Sequence, residues 1–213
     1  MTTKLLTLIQ WLSPSFPVGA FAYSHGLETE IQAGRLVLAA DLQGWLSDVL
    51  AFGTGHSDCI LLRAAFACDS EAELTRVDAT ARAFAPSAER LREAVLQGAA
   101  FGQTTAAIWG DGPPDLTYPV AVGAAARRLA LDVDLVTPLF LHAFTSTLVS
   151  VAVRLVPLGQ TAGQQVLAAL APLCQRIAND TKGATLDGLQ STAFLSDIAA
   201  MTHETLTHRI FRS

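Results

Sequence analysis

Residues 13–28 read SPSFPVGAFAYSHGLE and place two prolines, two glycines and three aromatic residues close to the start of the chain. We call this stretch the start motif. Pro14 and Pro17 each fix one φ angle and remove one backbone donor, so a preceding helix is expected to end here. The next helix is expected to begin after Gly19. We therefore predict that Pro14, Pro17 and Gly19 form a stiff structural turn.

A helix is predicted after this turn, from about 20–33, with Gly34 as its C-terminal glycine. Gly26 would then lie inside the helix, where a glycine costs about 1 kcal/mol relative to alanine. We interpret Gly26 as a point at which the backbone of another element approaches closely.

The side chains of the start motif combine large apolar groups with polar ones. Phe16, Phe21 and Tyr23 supply apolar area close to His25 and Glu28, and protein interfaces use such a mixture of aromatic anchors and polar rim. Two interpretations stay open from the residues alone. The motif is either an interface for a partner or a loop packed onto the chain's own core.

Helical signals continue along the rest of the chain. Helix N-termini are predicted at Asp41, at Ser70 with Glu73 in capping-box spacing, and at Ser87. The sequence shows no strand alternation, internal repeat or long linker. We predict an all-α fold in which residues 1–213 form a single-domain helical bundle of about eight to ten helices.

Further signals predict where the later helices start and break. DGPP at 111–114 predicts a turn, and Thr161 with Gln164 has the spacing of a capping box. Pro172 is expected to kink or interrupt the helix that follows.

The longest stretch without a charge is LVTPLFLHAFTSTLVSVAV at 135–153, which approaches the length of a bilayer crossing. Thr137 and Pro138 resemble an N-cap followed by proline in the first helical position. Because proline, histidine and hydroxyl residues interrupt the run, we interpret it as a buried core or interface helix rather than as a membrane span.

Composition limits the partners and the compartment. The chain has 213 residues, of which 51% are hydrophobic, and a net charge of -5. Its basic residues are scattered, so nucleic acid is not expected as a partner. Three cysteines without a C-x-x-C pair suit a reducing compartment, and no secretory leader is evident. We predict a cytoplasmic protein.

Catalytic and metal-binding motifs are not apparent in the sequence. The glycine-rich stretch 98–105 lacks the lysine of a phosphate-binding loop. His203 and His208 are five positions apart, whereas a zinc-protease helix needs two histidines four apart. A last helix is predicted from about Ser196, with Asp197, Met201, Glu204 and His208 along one face. We predict no catalytic residues, no metal site and no cofactor.

Three stretches together resemble the UreF family of urease accessory proteins. The start motif is similar to the family pattern S-P-x-x-P-V-G-x-F-x-Y-S-x-G-L-E, and RLVPLGQ from Arg154 is similar to R-x-x-P-L-G-Q. The end of the chain is similar to H-E-x-x-Y-S-R-L-F-x-S. Its matching positions are His203, Glu204, Arg209, Phe211 and Ser213, and its departures are Thr207, His208 and Ile210. An aromatic anchor of the family is therefore a threonine here.

The resemblance implies an all-α protein, predicted to be a homodimer, that catalyses no covalent reaction. Such a protein would act as a scaffold in urease maturation. It would bind the accessory protein UreD, also called UreH, and recruit the GTPase UreG to the urease apoprotein for nickel insertion into the active site.

The resemblance also suggests where partners bind. A C-terminal partner-binding segment is predicted at about 197–213, together with the start motif. The predicted partner-binding residues are Phe21, Tyr23, His25, Glu28, His203, Glu204, Arg209 and Phe211. The predicted turn residues are Pro14, Pro17, Gly19, Pro157 and Gly159.

Two alternatives remain. Arg209 could regulate the partner's GTPase activity, as an arginine supplied in trans to the nucleotide. A cofactor-free enzyme would instead need His25, Glu28 and His203 in one pocket, where they could transfer protons if the two chain ends meet.

Overall fold

The computed structural model describes residues 2–110, 112 and 115–213, so the predicted turn at 111–114 lies outside the described residues apart from Gly112. The helices are α1 (Thr2–Trp11), α2 (Leu27–Gln32), α3 (Ala39–Phe52), α4 (Thr54–Ala67), α5 (Glu71–Ala83), α6 (Ala88–Trp109), α7 (Tyr118–Arg128), α8 (Val133–Leu155), α9 (Gln160–Asp180) and α10 (Phe194–His203). Short 3₁₀ turns lie at Ala20–Ala22 and Leu186–Gly188. The described part of the chain contains no strand. The prediction of an all-α fold with about eight to ten helices is therefore confirmed.

Capping side chains set the beginnings of three helices. The Ser70 hydroxyl oxygen accepts a hydrogen bond from the Glu73 amide at 3.3 Å at the start of α5. Ser87 does the same for the Arg90 amide of α6 at 3.2 Å. In the first turn of α3, Asp41 accepts from the Leu38 amide at 2.8 Å. The Ser70 and Ser87 caps agree with the sequence because each satisfies a backbone donor that helix geometry leaves free. The predicted start at Asp41 was wrong, because Leu38 is the N-cap of α3 and Asp41 is its third residue.

Three predictions for the later helices differ from the structure: the cap at Thr161, the interruption at Pro172 and the helix start at Thr137 and Pro138. α9 begins one residue before Thr161, with Gly159 as its N-cap, and it continues through Pro172 without interruption. α8 begins at Val133, where Asp132 accepts from the Asp134 amide. Pro138 consequently lies inside α8 rather than at its first position.

Two hydrophobic clusters form the interior. The first surrounds Trp11 and Phe101, whose ring centroids lie 5.1 Å apart in an edge-on arrangement. The second gathers leucines and valines from α3, α8 and α9. Helices α4 and α8 contribute side chains to both clusters, so they connect the two halves of the core.

The apolar run at 135–153 lies within α8. In the described part of the chain, α8 is the one helix long and apolar enough to cross a membrane, with a mean hydropathy of 1.6 over its most apolar window. Half of that window is buried inside the fold.

The two ends of the chain differ from the sequence predictions. In place of one helix over 20–33, a 3₁₀ turn is followed by extended and left-handed residues, and α2 starts only at Leu27. The last helix ends at His203. The predicted stripe from Asp197 to His208 therefore does not share one helical face.

Candidate functional site

The last residues of the chain fold back onto the start motif. We call residues 204–213 the C-terminal tail. The Ser213 carbonyl accepts a hydrogen bond from the Ser24 amide at 2.8 Å, and the Arg212 amide donates to the Ala22 carbonyl at 2.9 Å. The Ser213 hydroxyl donates to Glu93 of α6 at 2.5 Å. The two ends of the chain, which carry two of the motifs quoted above, thus meet in space.

Glu28 holds the tail through its carboxylate. Its side chain is fully buried in the first turn of α2. One oxygen accepts from the Ile210 amide at 2.9 Å and the other from the Phe211 amide at 2.9 Å. Gln32, one turn later on α2, donates to Glu28 at 3.1 Å and to the His208 carbonyl at 3.1 Å. A buried carboxylate is tolerated because these donors replace its water.

His203, the last residue of α10, lies between two carboxylates. Its Nε2 is 3.3 Å from Glu28 Oε2, and its Nδ1 is 2.6 Å from Glu89 Oε2. The imidazole is fully buried. Arg209 of the tail donates to the other oxygen of Glu89. Helices α2, α6 and α10 and the tail are therefore joined by one charged network.

Phe211 anchors the tail in the second hydrophobic cluster. The guanidinium of Arg154 lies over its ring, 4.7 Å from the centroid. Arg154 also donates to the Phe21 carbonyl at 3.0 Å. The arginine that opens RLVPLGQ therefore bridges the tail and the start motif.

Gly26 lies where α10 crosses the beginning of α2. Its φ is +78°, and a Cβ there would be 2.8 Å from the Ala200 amide nitrogen and 3.1 Å from the Ala199 carbonyl carbon. The close approach inferred from the sequence is present, although Gly26 is the N-cap of α2 rather than a residue inside a helix. Thr29 adds to this crossing because its hydroxyl donates to the Ala199 carbonyl at 3.1 Å.

The structure does not bring together the three residues of the enzyme alternative. Glu28 and His203 are in contact, but the His25 ring lies 3.2 Å from the Thr54 hydroxyl and edge-on to Phe144 at 5.1 Å. Burial lowers the pKa of His25 well below its usual value, and the charge of Arg90 lowers it further. His25 therefore lies outside the contact between Glu28 and His203, which the proton-transfer arrangement would require it to join.

The eight predicted partner-binding residues divide into two groups. Phe21, Glu204 and Arg209 are exposed. The buried group consists of Tyr23, His25, Glu28, His203 and Phe211. Contact between a partner and Glu28, His203 or Phe211 would require the tail to move. The role of all eight residues in partner binding stays a prediction.

The predicted turn residues all lie between helices. Pro14, Pro17 and Gly19 follow α1, and Pro157 and Gly159 separate α8 from α9. The two glycines have φ values of +72° and +74°, a region that other residues rarely adopt. This geometry agrees with the role the sequence suggests for them.

Sequence reasoning missed the acidic residues of α6. Glu89 and Glu93 pair with the C-terminal tail, and Glu93 also pairs with Arg90. They sit in an alanine-rich helix with no motif of its own. The available signal was their spacing, because residues four apart share one helical face.

A cavity of about 640 Å³ lies beside the joined ends, bounded by α1, the start motif, α6 and α8. Asp58, Arg90 and Glu93 lie among its mostly apolar walls. Burial raises the pKa of Asp58 to about 7, and the nearby Arg90 charge opposes this shift. Asp58 is therefore poised to change its charge near neutral pH.

Helix α10 exposes an apolar face on the side away from the joined ends. Phe194, Leu195, Ile198 and Met201 are each more than half exposed. The opposite side of α10 is buried against α2 and α6 through Ala199, Ala200, Ser196 and His203. We call the four exposed residues the α10 apolar face.

Metal ligands are not clustered among the residues that the structure describes. No group of three or more His, Cys, Asp or Glu side chains there could hold a metal ion. The sequence-based predictions of no metal and no cofactor remain predictions.

Comparison with known proteins relates this chain to one protein family. A family model described as UreF matches residues 37–171. "Urease accessory protein UreF" of Ruegeria pomeroyi is 51% identical over 210 residues, covering 99% of this chain and 97% of that protein. The protein of the same name from Roseobacter denitrificans is 53% identical over 212 residues, covering 100% of this chain and 95% of that protein. That from Cereibacter sphaeroides KD131 is 53% identical over 213 residues, covering both chains completely.

These names, together with the helical fold, define a class of accessory protein rather than an enzyme. Full-length identity near one half also exceeds what a shared fold alone would require. The chain belongs to the UreF family of urease accessory proteins, which implies a role in urease maturation.

Proposed function

We propose that the chain is a cytoplasmic scaffold for nickel insertion into urease. It binds a UreD/UreH-type accessory protein and recruits the UreG GTPase to the urease apoprotein, and it works as a homodimer. The observation that supports this proposal most directly is the α10 apolar face.

The α10 apolar face has the properties of a docking surface. Its four large side chains recur at helical spacing, and exposed apolar patches of this kind mark interaction sites more often than ordinary surface. The helix beneath is held by buried contacts to α2 and α6. A rigid presentation reduces the ordering entropy that binding would otherwise cost.

The tail places polar groups at one end of this face. Glu204 follows α10 directly, and Arg209 returns toward the N-terminus of α6 by pairing with Glu89. Both are exposed. Apolar residues bordered by charged ones are the arrangement found in specific protein interfaces. We assign the UreD/UreH-type partner to this surface.

A pair of charge-introducing variants tests this assignment. Leu195→Asp and Ile198→Asp place a carboxylate in the α10 apolar face, and we expect each to weaken binding of the UreD/UreH-type partner at least tenfold, because an unpaired charge would be buried at the interface. Leu6→Asp on α1 is the matched control, since Leu6 is also more than half exposed. Binding is measured by isothermal titration calorimetry, with circular dichroism to check folding. Equal affinity for all three folded variants and the unaltered chain would overturn the assignment.

The regulatory alternative for Arg209 stays a prediction. Its guanidinium pairs with Glu89 within the chain, so it would have to leave this carboxylate before reaching a nucleotide on a partner.

A further inference from the structure

The buried imidazole of His203 connects the folded core to the C-terminal tail. We propose that His203 is a proton switch: its protonated form holds the tail on the start motif, and its deprotonation releases the tail. This inference goes beyond the proposed scaffold function and does not depend on any partner.

Both ring nitrogens of His203 need a proton to make the contacts seen in the fold. Both ring nitrogens of His203 face carboxylate oxygens, Nδ1 toward Glu89 at 2.6 Å and Nε2 toward Glu28 at 3.3 Å. A carboxylate only accepts hydrogen bonds, and a neutral imidazole donates from one nitrogen alone. Both contacts are attractive hydrogen bonds only when the ring carries two protons.

The charges around the His203 ring balance only when the ring is protonated. Glu28 faces it from α2 and Glu89 from α6, while Arg209 of the tail pairs with Glu89. Glu204, the next residue after His203, accepts from the Glu89 amide at 3.1 Å and adds a further negative charge at the exposed edge. With His203 protonated, two cations meet the two inner carboxylates. With His203 neutral, Arg209 alone remains against them.

The Glu28 carboxylate contacts both His203 and the tail. Glu28 Oε2 accepts from the Phe211 amide at 2.9 Å and faces His203 Nε2, while Oε1 accepts from the Ile210 amide. If the ring loses its second proton, either a nitrogen lone pair opposes Glu28 or the Glu89 contact is lost. The buried carboxylate is then undercompensated, and its displacement removes the acceptor of both tail amides.

The direction of the pH effect follows. The tail is held while both ring nitrogens carry a proton and is released when one proton is lost, so a rise in pH favours release. Release would uncover Glu28 and the site that Phe211 occupies beside Arg154.

Hydrogen exchange on the full chain tests the switch. Protection factors of the Ile210 and Phe211 amides are compared at about pH 5.5 and about pH 8.5, with α8 amides as the reference for global opening. We expect protection of the two tail amides to fall at least tenfold relative to α8 in the unaltered chain, as loss of a charged hydrogen bond requires. His208→Gln is the matched control and should behave in the same way, because the His208 side chain is exposed and lies outside the network.

His203→Gln should show weak tail protection at both pH values and less than about a twofold change between them, since glutamine carries no titrating proton. Unchanged tail protection across the pH range in the unaltered chain, or the same pH dependence in His203→Gln, would overturn the proposal. If His203→Gln does not fold, nitrogen NMR of the His203 ring in the unaltered chain decides the matter. We expect both ring nitrogens to be protonated while the tail is docked, and one of the two protons to be lost together with tail protection. A neutral ring beneath a docked tail contradicts the switch.

Discussion

At the scale of single residues, Glu28 carries the connection between the chain ends. It lies in a motif rich in aromatic residues, where the sequence suggests an interface for another protein. The structure shows that its carboxylate accepts from two tail amides and contacts His203. Of the two interpretations left open by the sequence, the fold gives the start motif an intramolecular role, since the chain's own tail occupies it.

Glu28→Gln should destabilise the chain by about 3 kcal/mol, because the amide cannot compensate His203 and turns a donor toward buried tail amides. Glu30→Gln on the same helix is the matched control. Its partner Arg35 has a side chain that is 61% exposed, so the loss should be smaller than for Glu28→Gln. Urea unfolding at neutral pH measures both. Equal losses would show that Glu28 does not hold the tail.

Arg209→Ala should separate folding from partner recruitment. Its ion pair with Glu89 is partly exposed, so the free energy of unfolding should fall by no more than about 1 kcal/mol. If Arg209 contacts a partner, affinity in a UreD/UreH and UreG binding assay should fall at least tenfold. Arg212→Ala, an exposed arginine three residues later in the tail, is the control. Recruitment unaffected by Arg209→Ala would count against the predicted contact.

At the scale of elements, the packing of α10 against α2 decides how the tail is presented. The crossing is close because Gly26 has no side chain and the backbone of Ala199 and Ala200 fills that space. α10 forms one side of this crossing and the tail follows α10 in the chain, so the geometry of the crossing sets the position of the α10 apolar face.

Gly26→Ala should therefore cost more than an alanine at another left-handed glycine. Gly34 is the matched control, since its φ of +71° is similar but nothing lies within 4 Å of the added Cβ. We expect Gly26→Ala to be about 1–3 kcal/mol more destabilising than Gly34→Ala, because methyl insertion into a filled contact forces backbone shifts. Thermal unfolding of both variants gives the comparison. Matching melting temperatures would show that the crossing can adjust freely.

The sequence predicted helix starts correctly where the capping interaction is formed by residues close together in the chain. Ser70 and Ser87 cap helices within three residues of themselves, and their spacing is visible in the sequence. His25 and Gly26 adopt positive φ angles, and Gly26 lies against the backbone of α10, which is distant in sequence. The helix over 20–33 was mispredicted for this reason.

At the scale of the whole molecule, α1, the start motif, α6 and α8 bound a cavity that contains an ionisable carboxyl. Asp58 lines this cavity with Arg90 and Glu93. The all-α class could be predicted from periodicity and caps, but neither the cavity nor the roles of Glu89 and Glu93 could be, because they depend on how distant helices pack.

The shifted pKa of Asp58 predicts a pH dependence of stability. Burial raises this pKa from 3.8 to about 7, so the folded state keeps a proton that the unfolded chain loses first. The Asp58 contribution to stability is present below about pH 4 and is lost as the pH rises through 7. Asp58→Asn keeps the neutral form, so it should raise the melting temperature more at pH 8 than at pH 5. Asp48→Asn, at an exposed position, should show no such difference, and equal effects of Asp58→Asn at both pH values would contradict the shift.

The most direct test of the scaffold account is size-exclusion chromatography with light scattering on the full chain, mixed with its UreD/UreH-type and UreG-type partners. The account predicts one assembly that contains all three proteins and that does not form when this chain is left out. If UreD/UreH and UreG assemble equally well without it, or if the chain elutes alone from the mixture, the scaffold account is wrong.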